Sequence, residues 1–285
     1  MTDNEDETAP SAEVTLLLGP QTRLALCLND LVRRRRKEFS AHGFSGFQNR
    51  LASRTLRAAA ADASTPLEVK RNQLAGAFGF SANSKTVLSA INLLGTPSSV
   101  VQNGMLYPGS DVKLAQVAPL FEDVRLRLVL SIEPLDELLY FLPADAWSSR
   151  VSQTPWEVLY ELSWADLISD IQDAFPDREI LVMSPEAAVL GTNEVLHTLF
   201  PDMDLKDEVP GLRLPYLTER GQEVLRNDLA TAEAIDAVFE AHRLRPTSLE
   251  LKTKTNIDDL TSTLLRQRFL DDLAGIEKLS NVTLI

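Results

Sequence analysis

The sequence predicts an α/β protein with a mostly parallel sheet of four to five strands, helices on both faces and a helical C-terminal half. Short apolar runs typical of buried strands alternate with amphipathic helical segments, which is the pattern of a parallel sheet covered by helices. The 285 residues, 44% of them hydrophobic, are enough to bury a substantial core. No repeat and no linker divides the sequence, so we predict a single domain over residues 13–285 after a disordered acidic tail over residues 1–12.

The predicted elements follow from hydrophobic periodicity along the chain. Short apolar or alternating runs predict strands at 14–18, 86–92, 125–131, 179–183 and 282–285. Segments with helical spacing of apolar residues predict helices at 24–39, 50–63, 67–78, 112–120, 135–141, 156–175, 193–199, 219–242 and 258–279. Gly43 stands at the expected stop of the first helix.

Composition excludes several classes of function. A net charge of −13 argues against nucleic-acid binding, because neutralising phosphates requires a basic surface. One cysteine cannot form an intramolecular disulfide or a cysteine-based zinc site, and three scattered histidines argue against a metal centre. The acidic start of the chain is unlike a secretory signal, and no apolar run approaches the length of a membrane span. We therefore expect a cytoplasmic protein with no metal, nucleic-acid or membrane partner.

The segment from Val14 to Leu31 has the outline of a phosphate-binding strand, turn and helix. An apolar run meets Gly19 and Pro20 and passes into a helix, where such proteins hold an anion on backbone N–H groups. The lysine, hydroxyls and second glycine that the chemistry needs do not follow, because the next residues are Gln, Thr, Arg, Leu and Ala. The turn is either a structural connection or an anion site that uses Thr22 and the Arg23 guanidinium.

The order of motifs resembles bacterial sulfotransferase-like proteins of the P-loop fold. Gly19-Pro20 is similar to the start of that family's Gly-Pro-His-Lys-Thr-Gly-Thr-Thr loop. Similar matches are the segments Ala41-His-Gly-Phe44, Val87-Leu-Ser-Ala-Ile-Asn92-Leu-Leu-Gly95, Leu106-Tyr-Pro108, Val124-Arg-Leu-Arg-Leu-Val-Leu130, Ser163-Trp-Ala-Asp-Leu167, Glu179-Ile-Leu-Val182, Phe269-Leu-Asp-Asp-Leu273 and Val282-Thr-Leu-Ile285. The resemblance implies a fold that binds the sulfuryl donor PAPS and transfers its sulfuryl group to a hydroxyl acceptor.

Matched to the family's motifs, most of the expected functional residues are replaced. The loop lysine falls at Thr22, its hydroxyl partner at Arg23, the inner glycine at Leu24 and the following threonines at Ala25 and Leu26. Further along, the arginine and serine of the 3′-phosphate site fall at Ile132 and Tyr140, and the likely base falls at Ile91, beside a retained Asn92. Loss at three separate points indicates a degenerate PAPS site and a binding or structural pseudoenzyme without catalytic residues or cofactor.

The alternative is an active PAPS-dependent sulfotransferase with a rebuilt anion site. The candidate cofactor-binding residues are then Gly19, Pro20, Thr22, Arg23 and Asn92, with an additional arginine such as Arg54. The acceptor would be an unknown small molecule or carbohydrate, and the sequence predicts no oligomeric state.

Three further features have both a structural and a functional interpretation. Glu133, Asp136 and Glu137 are expected to be solvated carboxylates at a helix N-terminus, where the macrodipole favours them, with a metal or base role as the alternative. The basic run Arg33–Lys37 is expected to be a solvated helix face, with an anion-facing patch as the alternative. Cys27 is expected to be a small buried hydrophobe, or else a nucleophile at a helix N-terminus.

Overall fold

The computed structural model describes residues 11–102, 105–142, 155–226 and 232–285. Within these residues, a six-stranded parallel sheet has the order β2–β3–β1–β6–β7–β8, and β4 and β5 form a short antiparallel pair. The strands are β1 (Glu13–Leu17), β2 (Phe44–Phe47), β3 (Lys85–Ser89), β4 (Val101–Gln102), β5 (Met105–Leu106), β6 (Arg125–Ser131), β7 (Glu179–Met183) and β8 (Val282–Leu284). The predicted α/β class and mostly parallel sheet are confirmed.

Helices occupy most of the remaining described chain. They are α1 (Arg23–Arg34), α2 (Arg36–Ala41), α3 (Asn49–Ala61), α4 (Leu67–Phe78), α5 (Ser110–Val117), α6 (Leu135–Phe141), α7 (Trp156–Glu161), α8 (Trp164–Ala174), α9 (Pro185–Val189), α10 (Thr192–Leu199), α11 (Val209–Arg213), α12 (Glu219–Arg226), α13 (Ala232–His242), α14 (Ser248–Thr255) and α15 (Asp259–Ile276). Seven of these fifteen helices lie between Pro185 and the last strand, which agrees with the predicted helical C-terminal half.

The structure differs from several of the predicted elements. Phe44–Phe47 forms a sixth strand beside β3, where the sequence indicated only a helix stop, because four residues are too few to show a period. The predicted helix 24–39 divides at Arg35 into α1 and α2. The predicted helix 156–175 divides at Leu162 and Ser163, where the Ser163 hydroxyl accepts a hydrogen bond from the Asp166 backbone and begins α8. Residues 1–10 of the predicted acidic tail lie outside the described residues.

The core has two apolar clusters, one on each face of the sheet. Alternate residues of β1 point to opposite faces, so Val14 and Leu16 join one cluster and Leu17 joins the other. Both sets are buried, as expected for a parallel strand covered by helices on both sides. β1 is therefore a central strand and fixes the position of the turn that follows it.

The sheet order places a topological switch beside β1. The chain builds β2 and β3 on one side of β1 and then crosses to β6 and β7 on the other side. In open parallel sheets, ligands bind outside the carboxyl ends of the strands at such a switch. The turn from β1 to α1 lies at this point.

Candidate functional site

The turn after β1 has a backbone that requires glycine. Gly19 has φ +91°, in the left-handed region, and the Gly19–Pro20 peptide bond is cis. A Cβ at Gly19 would lie 2.5 Å from the backbone oxygen of Ile91, which follows β3. The turn is thus packed directly against the neighbouring strand's carboxyl end, with no room for a side chain at this position.

The first turn of α1 has acceptors for its N–H groups within the chain. Thr22 is the N-cap, and its hydroxyl accepts from the backbone N–H of Ala25 at 3.2 Å. The backbone N–H of Leu24 donates to the Tyr216 hydroxyl at 2.9 Å, and that of Arg23 donates to Oε1 of Glu133 at 2.9 Å. A helix N-terminus normally leaves these donors free for capping groups or for a bound anion. Here a carboxylate from the segment after β6 occupies that place.

The Glu133 carboxylate is completely buried and has several donors. In addition to the Arg23 backbone, Nε of Arg23 lies 3.3 Å from both carboxylate oxygens, and the Tyr216 hydroxyl donates to Oε1 at 3.0 Å. The Glu133 backbone carbonyl accepts from the indole N–H of Trp164 at 2.9 Å. Burial raises the pKa of Tyr216 well above its usual value, and the negative charge of Glu133 raises it further. Tyr216 is therefore a neutral donor to this carboxylate.

The Arg23 guanidinium is buried almost as deeply as Glu133. Its Nη2 donates to Oε2 of Glu137 at 2.6 Å, and its central carbon lies 4.2 Å from the ring centroids of both Phe141 and Tyr216. Burial by itself lowers the pKa of Arg23, but attraction to Glu133 and Glu137 outweighs it, so the pKa is raised. Arg23 is a permanently charged residue with its donors directed at internal acceptors.

The predicted solvation of Glu133, Asp136 and Glu137 is wrong, because all three are buried. Glu137 also accepts from Arg243 Nη2 at 3.4 Å, and Asp136 accepts from the Ser262 hydroxyl at 2.7 Å and from Arg266 Nε at 2.9 Å. These partners come from α15 and from the segment after α13. Helix α6 is covered by elements distant in sequence. Its carboxylates Asp136 and Glu137 form ion pairs with three arginines, which are Arg23, Arg243 and Arg266.

Asn92, the remaining candidate cofactor-binding residue, belongs to a neutral polar network. Its Oδ1 accepts from the Gln21 side chain, and its backbone N–H donates to Oδ1 of Asn49 at 3.0 Å. Asn29 joins the network from α1, because its Oδ1 accepts from the Asn49 backbone at 2.9 Å and from the Ser89 hydroxyl at 2.8 Å. The structure therefore brings Asn92 to the Gly19 turn through Gln21, and not through Thr22 or Arg23.

The apolar residues at the replaced family positions do not form one cluster. Leu24 and Ile91 are buried on the α1 face of the sheet, whereas Ile132 is buried on the opposite face. Leu26 is half-exposed. Arg54, the additional arginine of the rebuilt site, is exposed on α3 and donates to no acceptor in the described part of the chain.

The comparisons with known proteins identify no relative. No protein-family model, curated protein or solved structure matches this chain.

The described residues offer neither a metal-binding cluster nor a membrane-spanning helix. They contain no group of three or more His, Cys, Asp or Glu side chains suited to a metal ion. None of their helices is long and apolar enough to cross a bilayer.

Two cavities of about 310 and 330 Å³ lie away from the Gly19 turn. The first is at the amino ends of the strands, beside Glu13, Lys85 and Arg127. The second lies between the segment Met105–Asp111 and the helix α8. Neither is lined by any of the five candidate cofactor-binding residues.

The two remaining sequence-based predictions concern the basic run Arg33–Lys37 and Cys27, which lie in the region of α1 and α2. Arg33, Arg34, Arg36 and Lys37 are exposed, as expected for a solvated face, and Arg34 and Arg35 form ion pairs with Glu208. Cys27 is partly buried, and burial raises the pKa of its thiol to about 11, with a further contribution from Asp30. A thiol that remains protonated is a poor nucleophile.

The sequence reasoning missed Tyr216, Arg243 and the role of Glu133. A usable signal existed for Glu133, because the carboxylates 133, 136 and 137 interrupt a mostly apolar stretch from Leu128 to Leu142. Carboxylates in so apolar a stretch indicate burial with partners.

Proposed function

We propose that this chain is a sulfotransferase-like protein of the P-loop fold that lacks sulfuryl transfer and acts as a binding or structural pseudoenzyme. The observation that carries the proposal is the Glu133 carboxylate at the N-terminus of α1, 2.9 Å from the Arg23 backbone N–H. This N-terminus follows the Gly19 turn, where the resemblance would place the phosphates of PAPS. A carboxylate of the chain itself is the anion at that position.

The charge at the site disfavours a second anion. Arg23 is the only guanidinium of the candidate set within the turn, and it already contacts Glu133 and Glu137. Two like charges 4 Å apart repel by about 4 kcal/mol at an effective dielectric constant of about 20. A phosphate beside Glu133 would therefore bind about 10³-fold more weakly than at a neutral site. The residues present do not fit the phosphates of PAPS, and no transfer step is assigned to them.

The replaced positions support the same proposal. Sulfuryl transfer depends on cationic and N–H donors that stabilise charge on the leaving phosphate. Ile91 and Ile132, which stand where the resemblance places the base and an arginine, are both buried among apolar side chains. Their side chains offer no proton-transfer group and no hydrogen-bond donor.

Calorimetric titration with adenosine 3′,5′-bisphosphate and with PAPS tests the proposal. We expect no saturable heat with the wild-type chain, while an active PAPS-dependent sulfotransferase titrated in the same buffer gives a normal isotherm. The Asn92→Ala variant is the matched test of the rebuilt site, because the Asn92 side chain contacts the turn without joining the Arg23 network. Saturable heat with the wild-type chain contradicts the proposal, and its loss in Asn92→Ala favours an active transferase with the rebuilt site.

A further inference from the structure

The cavity of about 330 Å³ beside α8, which we call the acidic cavity, is lined by four carboxylates and no basic side chain. The carboxylates are Asp111 on α5, Glu161 at the end of α7, and Asp166 and Asp170 on α8. Within the described residues, none of the four forms an ion pair. Lys113, two residues after Asp111, donates instead to the Leu94 backbone carbonyl at 2.6 Å. The described chain therefore supplies no counter-charge to this cavity.

The helices that carry these carboxylates explain their positions only in part. Asp111 and Asp166 are in the first turns of α5 and α8, where the helix dipole favours a negative charge. Asp170 is in the middle of α8 and has no such support. Burial raises the pKa of Asp170, and the charges of Asp111, Asp173 and Asp166 raise it further. A bound cation would relieve this repulsion between like charges.

A buried hydroxyl in the wall of the acidic cavity is also without a partner. Ser110, the first residue of α5, lines the cavity and is 4% exposed. Its backbone N–H donates to the Tyr107 carbonyl at 3.0 Å, but its hydroxyl makes no hydrogen bond within the described part of the chain. Buried hydroxyls are normally hydrogen-bonded. The Ser110 oxygen is not wholly enclosed by protein, so it opens into the cavity and can accept a hydrogen bond from a ligand.

The lining of the acidic cavity indicates the class of cation. Among the described residues, no group of acidic side chains is suited to a metal ion, so these carboxylates do not converge on one point charge. The lining also includes the apolar side chains of Met105, Leu106 and Leu167. A polyamine carries several ammonium groups separated by methylene segments, and therefore matches carboxylates combined with apolar side chains. A cavity of about 330 Å³ is at the lower end of the range for small-molecule sites.

We propose that the acidic cavity binds an organic polycation of the polyamine class. Its ammonium groups pair with the carboxylates of Asp111, Asp166 and Asp170, and one of their N–H groups donates to the Ser110 hydroxyl. The site is separate from the Gly19 turn, because none of the candidate cofactor-binding residues lines this cavity. The inference therefore goes beyond the proposed function and does not depend on it.

Calorimetric titration of the full chain with spermidine at low ionic strength tests the site. The wild-type chain is compared with Ser110→Ala, Asp170→Asn and Asp173→Asn. Ser110→Ala keeps every charge, and it is expected to fold normally because the hydroxyl has no protein partner to lose. Asp173 is exposed on α8 and does not line the cavity, so Asp173→Asn is the matched control for the loss of one charge.

We expect the wild-type chain to bind one spermidine molecule. Loss of one hydrogen bond in Ser110→Ala is expected to weaken binding about two- to tenfold. Loss of one charge pair in Asp170→Asn is expected to weaken it about three- to fivefold, whereas Asp173→Asn is expected to change the affinity less than about twofold.

Several results overturn the proposal. The absence of saturable binding to the wild-type chain does so directly. Equal affinity in all four chains would show only the general attraction of a polycation to a protein of net charge −13. Saturable binding of magnesium chloride that is lost in Asp170→Asn would assign the cavity to a metal ion. A lysine-rich peptide that binds more tightly than spermidine, with the same dependence on Ser110 and Asp170, would assign it to a basic protein segment.

Discussion

Replacing Glu133 by glutamine changes the charge at the N-terminus of α1 with almost no change in shape. The amide oxygen of Gln can still accept from the Arg23 backbone and from Tyr216, so the hydrogen bonds at Oε1 are retained in kind. What is lost is a negative charge beside a guanidinium that is only 7% exposed. The variant therefore isolates the electrostatic contribution of the buried carboxylate.

The expected loss of stability is about 3 kcal/mol. Removing one partner of a buried ion pair costs about 3–5 kcal/mol, because the other charge is left uncompensated. The lower end applies here, since Glu137 remains 2.6 Å from Arg23. For a chain of this size, about 3 kcal/mol corresponds to a melting temperature about 6–12 °C lower. Urea unfolding measured by circular dichroism gives the free energy directly, provided that the slope of the transition is unchanged.

Glu179→Gln is the matched control for this experiment. Glu179 pairs with Arg127 at 2.8 Å, but its side chain is 46% exposed. Exposed ion pairs contribute about 0–1 kcal/mol, so this variant is expected to unfold close to the wild-type midpoint. If Glu133→Gln destabilises no more than Glu179→Gln, the Glu133 carboxylate does not compensate Arg23, and the electrostatic argument for a closed phosphate site fails.

Three smaller perturbations test the rest of the site. Gly19→Ala is expected to lower the free energy of unfolding by at least about 1–2 kcal/mol, because residue 19 has a positive φ and the new Cβ would clash with the Ile91 backbone oxygen. A free energy of unfolding within error of wild type would contradict the turn geometry. Tyr216→Phe leaves the Leu24 N–H without its acceptor and is expected to cost about 1–3 kcal/mol in the same assay, whereas no loss would show that water replaces the hydroxyl. The pKa of Cys27 is raised to about 11, so its alkylation by iodoacetamide at pH 7 should be far slower than that of free cysteine. The alkylation rate, measured by mass spectrometry, should rise about tenfold per pH unit up to about pH 9.5. Alkylation as fast as that of free cysteine would refute the burial.

The scaffold of the site was predictable because its signals are local. An apolar run, a Gly-Pro pair and an amphipathic segment are adjacent in sequence, and they became β1, the turn and α1. The alternation of strands and helices likewise gave the parallel sheet. The strand β2 was missed because its four residues carry no period, and its place in the sheet depends on pairing with β3. Local periodicity does not show which distant segments of the chain pair with each other.

The chemistry of the site was not predictable, because it depends on contacts between distant residues. Glu133 lies 110 residues from Arg23 and 83 residues from Tyr216 in sequence. Read locally, a carboxylate before Pro134 at the start of a helix is a common solvated feature. Its burial follows from α1, α8 and the segment around Tyr216, which contact Glu133 only in the folded chain. The same limit explains why Arg243 was missed.

The contact between Arg23 and Glu133 changes the interpretation of the replaced family residues. Read from the sequence alone, the losses at the turn and after β6 indicate that anion binding has disappeared. In the structure, the turn is still an anion site in its geometry, but Glu133 is its anion. Tyr216 and Arg23 hold Glu133 there, from positions 83 and 110 residues away in the sequence. A second anion at the Gly19 turn would have to displace this carboxylate or lie beside it, and two like charges that close repel each other. If this chain binds an anionic ligand, we therefore expect the ligand to bind at a place other than the Gly19 turn.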